Sequence, residues 1–151
     1  MPVKHIPEGY HSVTPYLIVQ GVTRIIEFLK QAFDAKETER MQTPDGRIMH
    51  AELKIGDSPI MFGEPLPTGD FKHMPSTLYV YVSDTDATYK RALSAGATCL
   101  MEPADQFYGD RNAGVKDVAG NIWWIATHIE DISRDELIRR AEARAKQQAG
   151  S

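Results

Sequence analysis

The sequence predicts an α+β fold: two βαβββ modules that pair into an open, cleft-forming barrel, followed by a C-terminal helix. Three observations carry this reading. Strand-like and helical periodicities succeed one another in the same order twice along the chain. A shift of 63 residues lays Thr77 on Thr14, Tyr79 on Tyr16, Val82 on Val19 and Ala95 on Ala32. Each half has about 60 residues and one amphipathic helix, too little to be stable alone, so the halves must share a core.

The elements follow in order. Residues 1–10, with Pro2, Pro7 and Gly9, read as an irregular arm. HSVTPYLIV (11–19) reads as a strand, and Gly21 punctuates it. Ile25, Phe28, Leu29, Ala32 and Phe33 then form one helical stripe. KETERMQ (36–42) and RIMHAELKI (47–55) flank TPDG, a hairpin signal. Gly56-Asp57 turns the chain into SPIMFG (58–63). Residues 65–76, with three prolines and one glycine, form a linker. The order then restarts with TLYVYV (77–82) as a strand. A helix follows that Ser83, Asp84 or Asp86 starts and Gly96 stops. Next come ATCLM and a long hairpin, DQFYGDRNAGVKDVAGNIWWIATH (105–128). Ser133-Arg134-Asp135-Glu136 is a capping-box pattern opening a charged helix that ends near Gln148. The expected organisation is one domain over residues 1–132, with modules 11–64 and 77–128, and a helical tail over 133–151. That tail reads as a solvated helix or as one lying on a partner subunit.

Composition narrows the function. The chain has 151 residues, 42% hydrophobic and 25% charged, ordinary values for a globular domain. A net charge of −4 speaks against nucleic acid and suits a neutral or cationic small ligand. The start lacks a signal-peptide pattern and no apolar run is long enough to span a membrane, so the expected location is cytoplasmic. The single cysteine, Cys99, sits in the apolar run ATCL and reads as a buried, inert thiol. Gly-rich phosphate loops, Cys-x-x-Cys and Gly-x-Ser-x-Gly do not occur.

Strand alternation sorts residues onto two faces. Leu17 and Val19, and likewise Leu78, Val80 and Val82, should pack on the helices. Thr14, Tyr16, Ile18, Thr77, Tyr79 and Tyr81 then lie opposite. In IMHAELKI the apolar set is Met49, Ala51, Leu53 and Ile55, which leaves His50 and Glu52 on the other face. NIWWIATH is apolar on both faces, as a strand buried on both sides would be. A sheet surface carrying Tyr, His, Glu and Trp suits the wall of a pocket.

The repeated module, TPYLIVQGVTRIIEFLKQAFDA, YVYVSDTDATYKRALSAGA and the closing KDVAGNIWWIATH resemble the vicinal oxygen chelate superfamily over residues 11–128. That superfamily holds glyoxalase I, bleomycin-resistance proteins and extradiol dioxygenases. HAELKIGDSPIMFGE and DQFYGDR look like a poorly characterised glyoxalase-like branch. The resemblance implies a divalent metal between the halves, held by His or Glu on the first and last strand of each module. Those positions fall on Thr14, Thr77, Trp124 and either Met61 or Phe62, none of them a good ligand. No metal and no cofactor is therefore expected. Glu64 stands next to the last-strand position and could join His50 and Glu52 in an atypical metal cluster.

His50-x-Glu52 is the candidate catalytic, acid–base pair; the competing reading is a satisfied polar pair. Tyr16, Phe62, Tyr79, Tyr81, Tyr108, Arg111 and Trp124 are the candidate ligand-binding residues, with ordinary packing as the rival explanation. His5, His11, His73 and His128 lack a pairing pattern and read as surface or loop residues. The resemblance implies a homodimeric small-molecule binding protein of the bleomycin-resistance type. The alternative is a metal-dependent lyase, isomerase or dioxygenase of the same superfamily.

Overall fold

The computed structural model describes residues 2–150. The first module holds β1 (Tyr16–Ile18), α1 (Val22–Phe33), β2 (Lys36–Gln42), β3 (Ile48–Ile55) and β4 (Ser58–Gly63). The second holds β5 (Thr77–Tyr81), α2 (Thr85–Ser94), β6 (Thr98–Asp105), β7 (Asp110–Lys116) and β8 (Ile122–His128), and α3 (Arg134–Ala149) closes the chain. Each module forms one four-stranded mixed sheet, in the order β1-β4-β3-β2 and β5-β8-β7-β6. The first strand of each module pairs parallel to the last, and the other pairs are antiparallel. The βαβββ repeat is thus as the sequence predicts. The two sheets share no ladder and close no barrel.

One core serves both modules. Trp123 of β8 is fully buried against Phe28 and Phe33 of α1, with ring centroids 6.5 and 5.5 Å apart. Its indole N–H donates to Asp117 Oδ2 at 2.9 Å. Asp117 also accepts from the Ala119 and Asn121 backbone amides and from Asn121 Nδ2, which ties the Asp117–Gly120 turn to the core. The helices touch as well: Arg91 Nε donates to the Ala32 carbonyl at 3.3 Å. Burying Trp123, Phe28 and Phe33 removes on the order of 150–250 Å² of surface per ring, so this seam helps to hold the halves together.

Several local expectations are corrected. β1 is three residues long, because Pro15 has no N–H to donate and residues 11–14 leave the sheet. Met49 is exposed while Ile48 is fully buried. A register shift between Met41 and Gln42 in the β2–β3 ladder advances Ile48 into the core and displaces Met49. Cys99 is exposed, because β6 is an edge strand. β5 is also an edge strand, so Leu78, Val80 and Val82 face the core yet are only partly buried. Both-sided burial of β8 holds for Trp123, Ile125 and Ala126 but not for Trp124 and His128.

Helix starts are as read for α2 and α3. Asp84 accepts from the Ala87 amide and Ser133 from the Glu136 amide. None of the α3 residues is buried; Arg140 fastens the helix to Glu130 and to the Phe107 carbonyl. No helix among the described residues is long and apolar enough to cross a membrane.

Candidate functional site

Ladder register fixes which residues share the sheet surface turned away from the helices. In the first module Tyr16, Met61 and Glu52 lie side by side in one row. In the second, Tyr79, Trp124 and Gly114 occupy the matching row. The next row holds Ile18 and Gly63 in the first module, and Tyr81, Ala126 and Asn112 in the second. Met61 is therefore the counterpart of Trp124. Phe62 is fully buried on the helix side, between Leu17 and Ala51 in the ladder, and does not reach the surface that carries Tyr16, Met61 and Glu52.

The first surface carries a hydrogen-bonded chain. Tyr16 Oη lies 3.2 Å from His50 Nδ1, and His50 Nε2 lies 2.7 Å from Glu52 Oε2. The two side chains are about one-quarter and one-fifth exposed, so solvent reaches the pair. Tyr16 leans over Gly63, where an added Cβ would sit 2.8 Å from its hydroxyl oxygen. Phe71 of the linker packs edge-on against the same ring at 5.8 Å. Burial raises the Tyr16 pKa, which keeps the phenol protonated and able to donate to His50. The arrangement suits a histidine that accepts from Tyr16 and donates to Glu52.

A second cluster gathers on the other surface. Asp110, only 4% exposed, accepts from Tyr79 Oη at 2.6 Å and Tyr81 Oη at 2.9 Å, and its other oxygen lies 2.9 Å from His128 Nδ1. His128 Nε2 meets Asp131 at 2.7 Å. Burial pushes the Asp110 carboxyl up, but the bonds from Tyr79, His128 and Tyr81 outweigh it and hold the group below its ordinary range. Bonds to Asp110 and Asp131 raise the His128 pKa, with burial working against them. Tyr79 is held protonated first by burial and then by Asp110. Beside this cluster Asn112 Nδ2 donates to Tyr108 Oη at 2.6 Å and to Tyr79 Oη at 3.1 Å. Tyr79, Met101, Gln106, Tyr108, Asn112 and Trp124 line a solvent-open cavity of about 280 Å³. The Trp124 ring lies flat on Gly114, where a Cβ would approach ring carbon Cζ3 to 2.6 Å.

Of the candidate residues, the structure brings together Tyr16, His50 and Glu52 on one surface, and Tyr79, Tyr81, Tyr108 and Trp124 on the other. Arg111 is placed elsewhere. Its fork clasps Asp86 at 2.7 and 2.9 Å and reaches Asp105 at 3.0 Å on the helix side, because alternation along β7 turns Asp110 and Asn112 the opposite way. Glu64 does not join His50 and Glu52; its two oxygens accept from the Gly21 and Ile48 backbone amides at 3.0 and 2.8 Å. Asp110, Asn112 and His128 join the second cluster, and the sequence did not single them out as candidates. The signal existed: the Asp117–Gly120 turn sets the β7–β8 register and places Asp110 opposite His128.

A larger cavity of about 730 Å³ runs between the β1 and β5 edges, lined by Tyr16, Leu17, Leu78, Tyr79, Val80 and Tyr81 among others. His50 and Glu52 do not line it. The positions that the resemblance assigns to metal ligands carry Thr14, Thr77, Met61 and Trp124. Hydroxyl, thioether and indole are poor ligands for a catalytic divalent ion, so these residues do not fit the metal. Among the described residues no three His, Cys, Asp or Glu side chains gather in a geometry that could hold one.

Known proteins match this architecture. The chain is 33% identical over 135 residues to an uncharacterized protein of Mycobacterium bovis, covering 83% of this chain and 89% of that one. Among solved structures it is similar to TioX from a Micromonospora species, with 25% identity and a TM-score of 0.67 over 79% of this chain and 99% of the other. It also shares its fold with the fosfomycin resistance protein FosX of Mesorhizobium loti, at 16% identity and a TM-score of 0.57, covering 85% and 97% of the two chains. The profile of the Glyoxalase/Bleomycin resistance protein/Dioxygenase superfamily matches residues 9–125. The repeated βαβββ module, the parallel first and last strands and this match agree, and the chain belongs to that superfamily.

Proposed function

We propose that this chain is a small-molecule binding protein that works as a homodimer and makes no use of the superfamily's usual metal position. The observation that carries the reading is Trp124. Its indole covers Gly114, filling the space in which the first module has Glu52, and it forms an aromatic wall with Tyr79 and Tyr108. Flat aromatic walls with few polar groups favour binding and orientation of a planar ligand. A dimer is supported by two sheet surfaces that stay partly open and by the exposed α3, whose Ile138 is 44% exposed. Titration calorimetry against a panel of aromatic and aromatic-cationic compounds tests the binding reading, and silence across the panel refutes it. Light scattering after size exclusion tests the dimer.

A second reading rests on the Tyr16–His50–Glu52 chain. A histidine that accepts from a phenol and donates to a carboxylate is equipped to pass a proton between them without a metal. Turnover of a substrate that stops in a His50→Gln variant, in metal-depleted protein, would establish this role. Stoichiometric metal in protein purified without chelator, lost on His50→Ala, would instead favour the metal-dependent lyase, isomerase or dioxygenase.

A further inference from the structure

Asn112, which helps to line the smaller cavity, carries an unmet hydrogen-bond acceptor. Asn112 is 2% exposed, and its Oδ1 is buried with no partner among the described residues. Neighbours fix the orientation of the amide. The Tyr79 hydroxyl proton is committed to Asp110 at 2.6 Å, so the Tyr79 oxygen faces Asn112 as an acceptor. Asn112 must therefore turn its NH₂ toward Tyr79 and Tyr108, which leaves the carbonyl oxygen without a donor. Tyr108 Oη accepts from that NH₂, so its own proton is free to be donated. Asn112, Tyr108 and Trp124 all line this cavity, so the unmet acceptor, the free hydroxyl and the indole belong to one site. The flanking positions in the ladder row are Ala104 and Ala126, small residues that leave Asn112 as the polar floor. A buried amide oxygen lacking a donor is unfavourable, and such groups in folded proteins call for an explanation.

We propose that this cavity takes a planar cyclic amide, whose ring lies against Trp124, whose N–H donates to Asn112 Oδ1 and whose adjacent carbonyl accepts from Tyr108. The inference rests on the binding reading above and adds the hydrogen-bonding edge of the ligand. The nearby Asp110 carboxylate disfavours an anion, and the cavity volume suits one or two fused rings rather than an extended chain.

The test uses the full chain and two probes of one shape: 2-quinolinone, a cyclic amide, and coumarin, in which ring oxygen replaces the N–H. Titration calorimetry should show 2-quinolinone binding roughly tenfold or more tighter, the penalty expected when a buried acceptor is left unpaired. Asn112→Leu should bring the two affinities within about twofold of each other, with circular dichroism and urea midpoint reporting its folding. Tyr108→Phe leaves Asn112 in place and should weaken 2-quinolinone several-fold, so the proposal stays testable even if the Asn112 variant does not fold. Equal affinities for the two probes overturn the cyclic-amide proposal and leave the aromatic wall standing. Discrimination that survives Asn112→Leu overturns it too. Binding of neither probe overturns the assignment of this cavity as a binding site as well.

Discussion

Gly114→Ala is the most direct probe of the wall that Trp124 builds. The backbone at Gly114 tolerates alanine, since its φ lies outside the left-handed region. The added methyl, however, would stand 2.6, 2.9 and 3.0 Å from three carbons of the Trp124 ring. Comfortable carbon–carbon contact is about 3.5–4.0 Å, so the ring must retreat by about 1 Å or the strands must part. Overpacking of this kind costs about 1–3 kcal/mol. Removing a glycine from a strand returns about 0.5–1 kcal/mol through the unfolded chain. The net expectation is a loss of about 0.5–2 kcal/mol, read as a lower urea midpoint at unchanged m-value. A double-mutant cycle isolates the cause. In a Trp124→Leu background the smaller side chain can yield, so Gly114→Ala should become neutral or mildly stabilising, giving a coupling energy of about 1–2 kcal/mol. Near-ultraviolet circular dichroism should report the displaced indole. A Gly114→Ala protein with wild-type midpoint and spectrum, or a coupling energy near zero, refutes the stacked geometry and with it the proposed wall.

Three further expectations can be checked on the same protein. Asp117→Ala strips the buried Trp123 indole N–H and the Asn121 amide of their acceptor, and should lower unfolding free energy by about 3–5 kcal/mol in urea titration. The Asp110–His128 pair sets a pH window for stability. Asp110, held below its ordinary pKa, contributes fully above about 4 and loses its contribution as pH falls through the depressed value. His128, held above its ordinary pKa, contributes fully below about 6.5 and loses its contribution as pH rises through the elevated value. Melting temperature should therefore decline on the alkaline side in the wild type, and His128→Gln should flatten that decline; parallel profiles would refute the pairing. Glu64→Gln removes one of two charge-assisted acceptors for backbone N–H groups and should cost about 1–2 kcal/mol by urea titration without changing metal content.

Much of the candidate site's geometry was legible from alternation alone. Tyr16, Tyr79 and Tyr81 leave the core face because Leu17, Leu78 and Val80 take it, and His50 meets Glu52 because residues two apart on a strand share a face. Phe62 and Arg111 were misplaced for the same kind of reason. Each lies one residue from a position that does face the wall, and a slip of one residue in register inverts a strand. Ile48 and Met49 exchanged roles at a bulge, which inserts a residue without announcing itself in composition. Asp110, Asn112 and His128 carried no local motif; cross-strand partners become visible only when the turn register is counted.

The sequence by itself determined the repeat, the alternation of faces and the poor ligand chemistry of Thr14, Thr77, Trp124 and either Met61 or Phe62, because these follow from residue type and period. Only the tertiary structure decided that Trp124 rests on Gly114, that Arg111 is spent on Asp86 and Glu64 on backbone amides, and that one amide oxygen of Asn112 goes unanswered. Each of these is a contact between residues on different elements. Hydrogen-bond capacity is a property of a side chain, but whether that capacity is used depends on what the fold brings within about 3 Å of it.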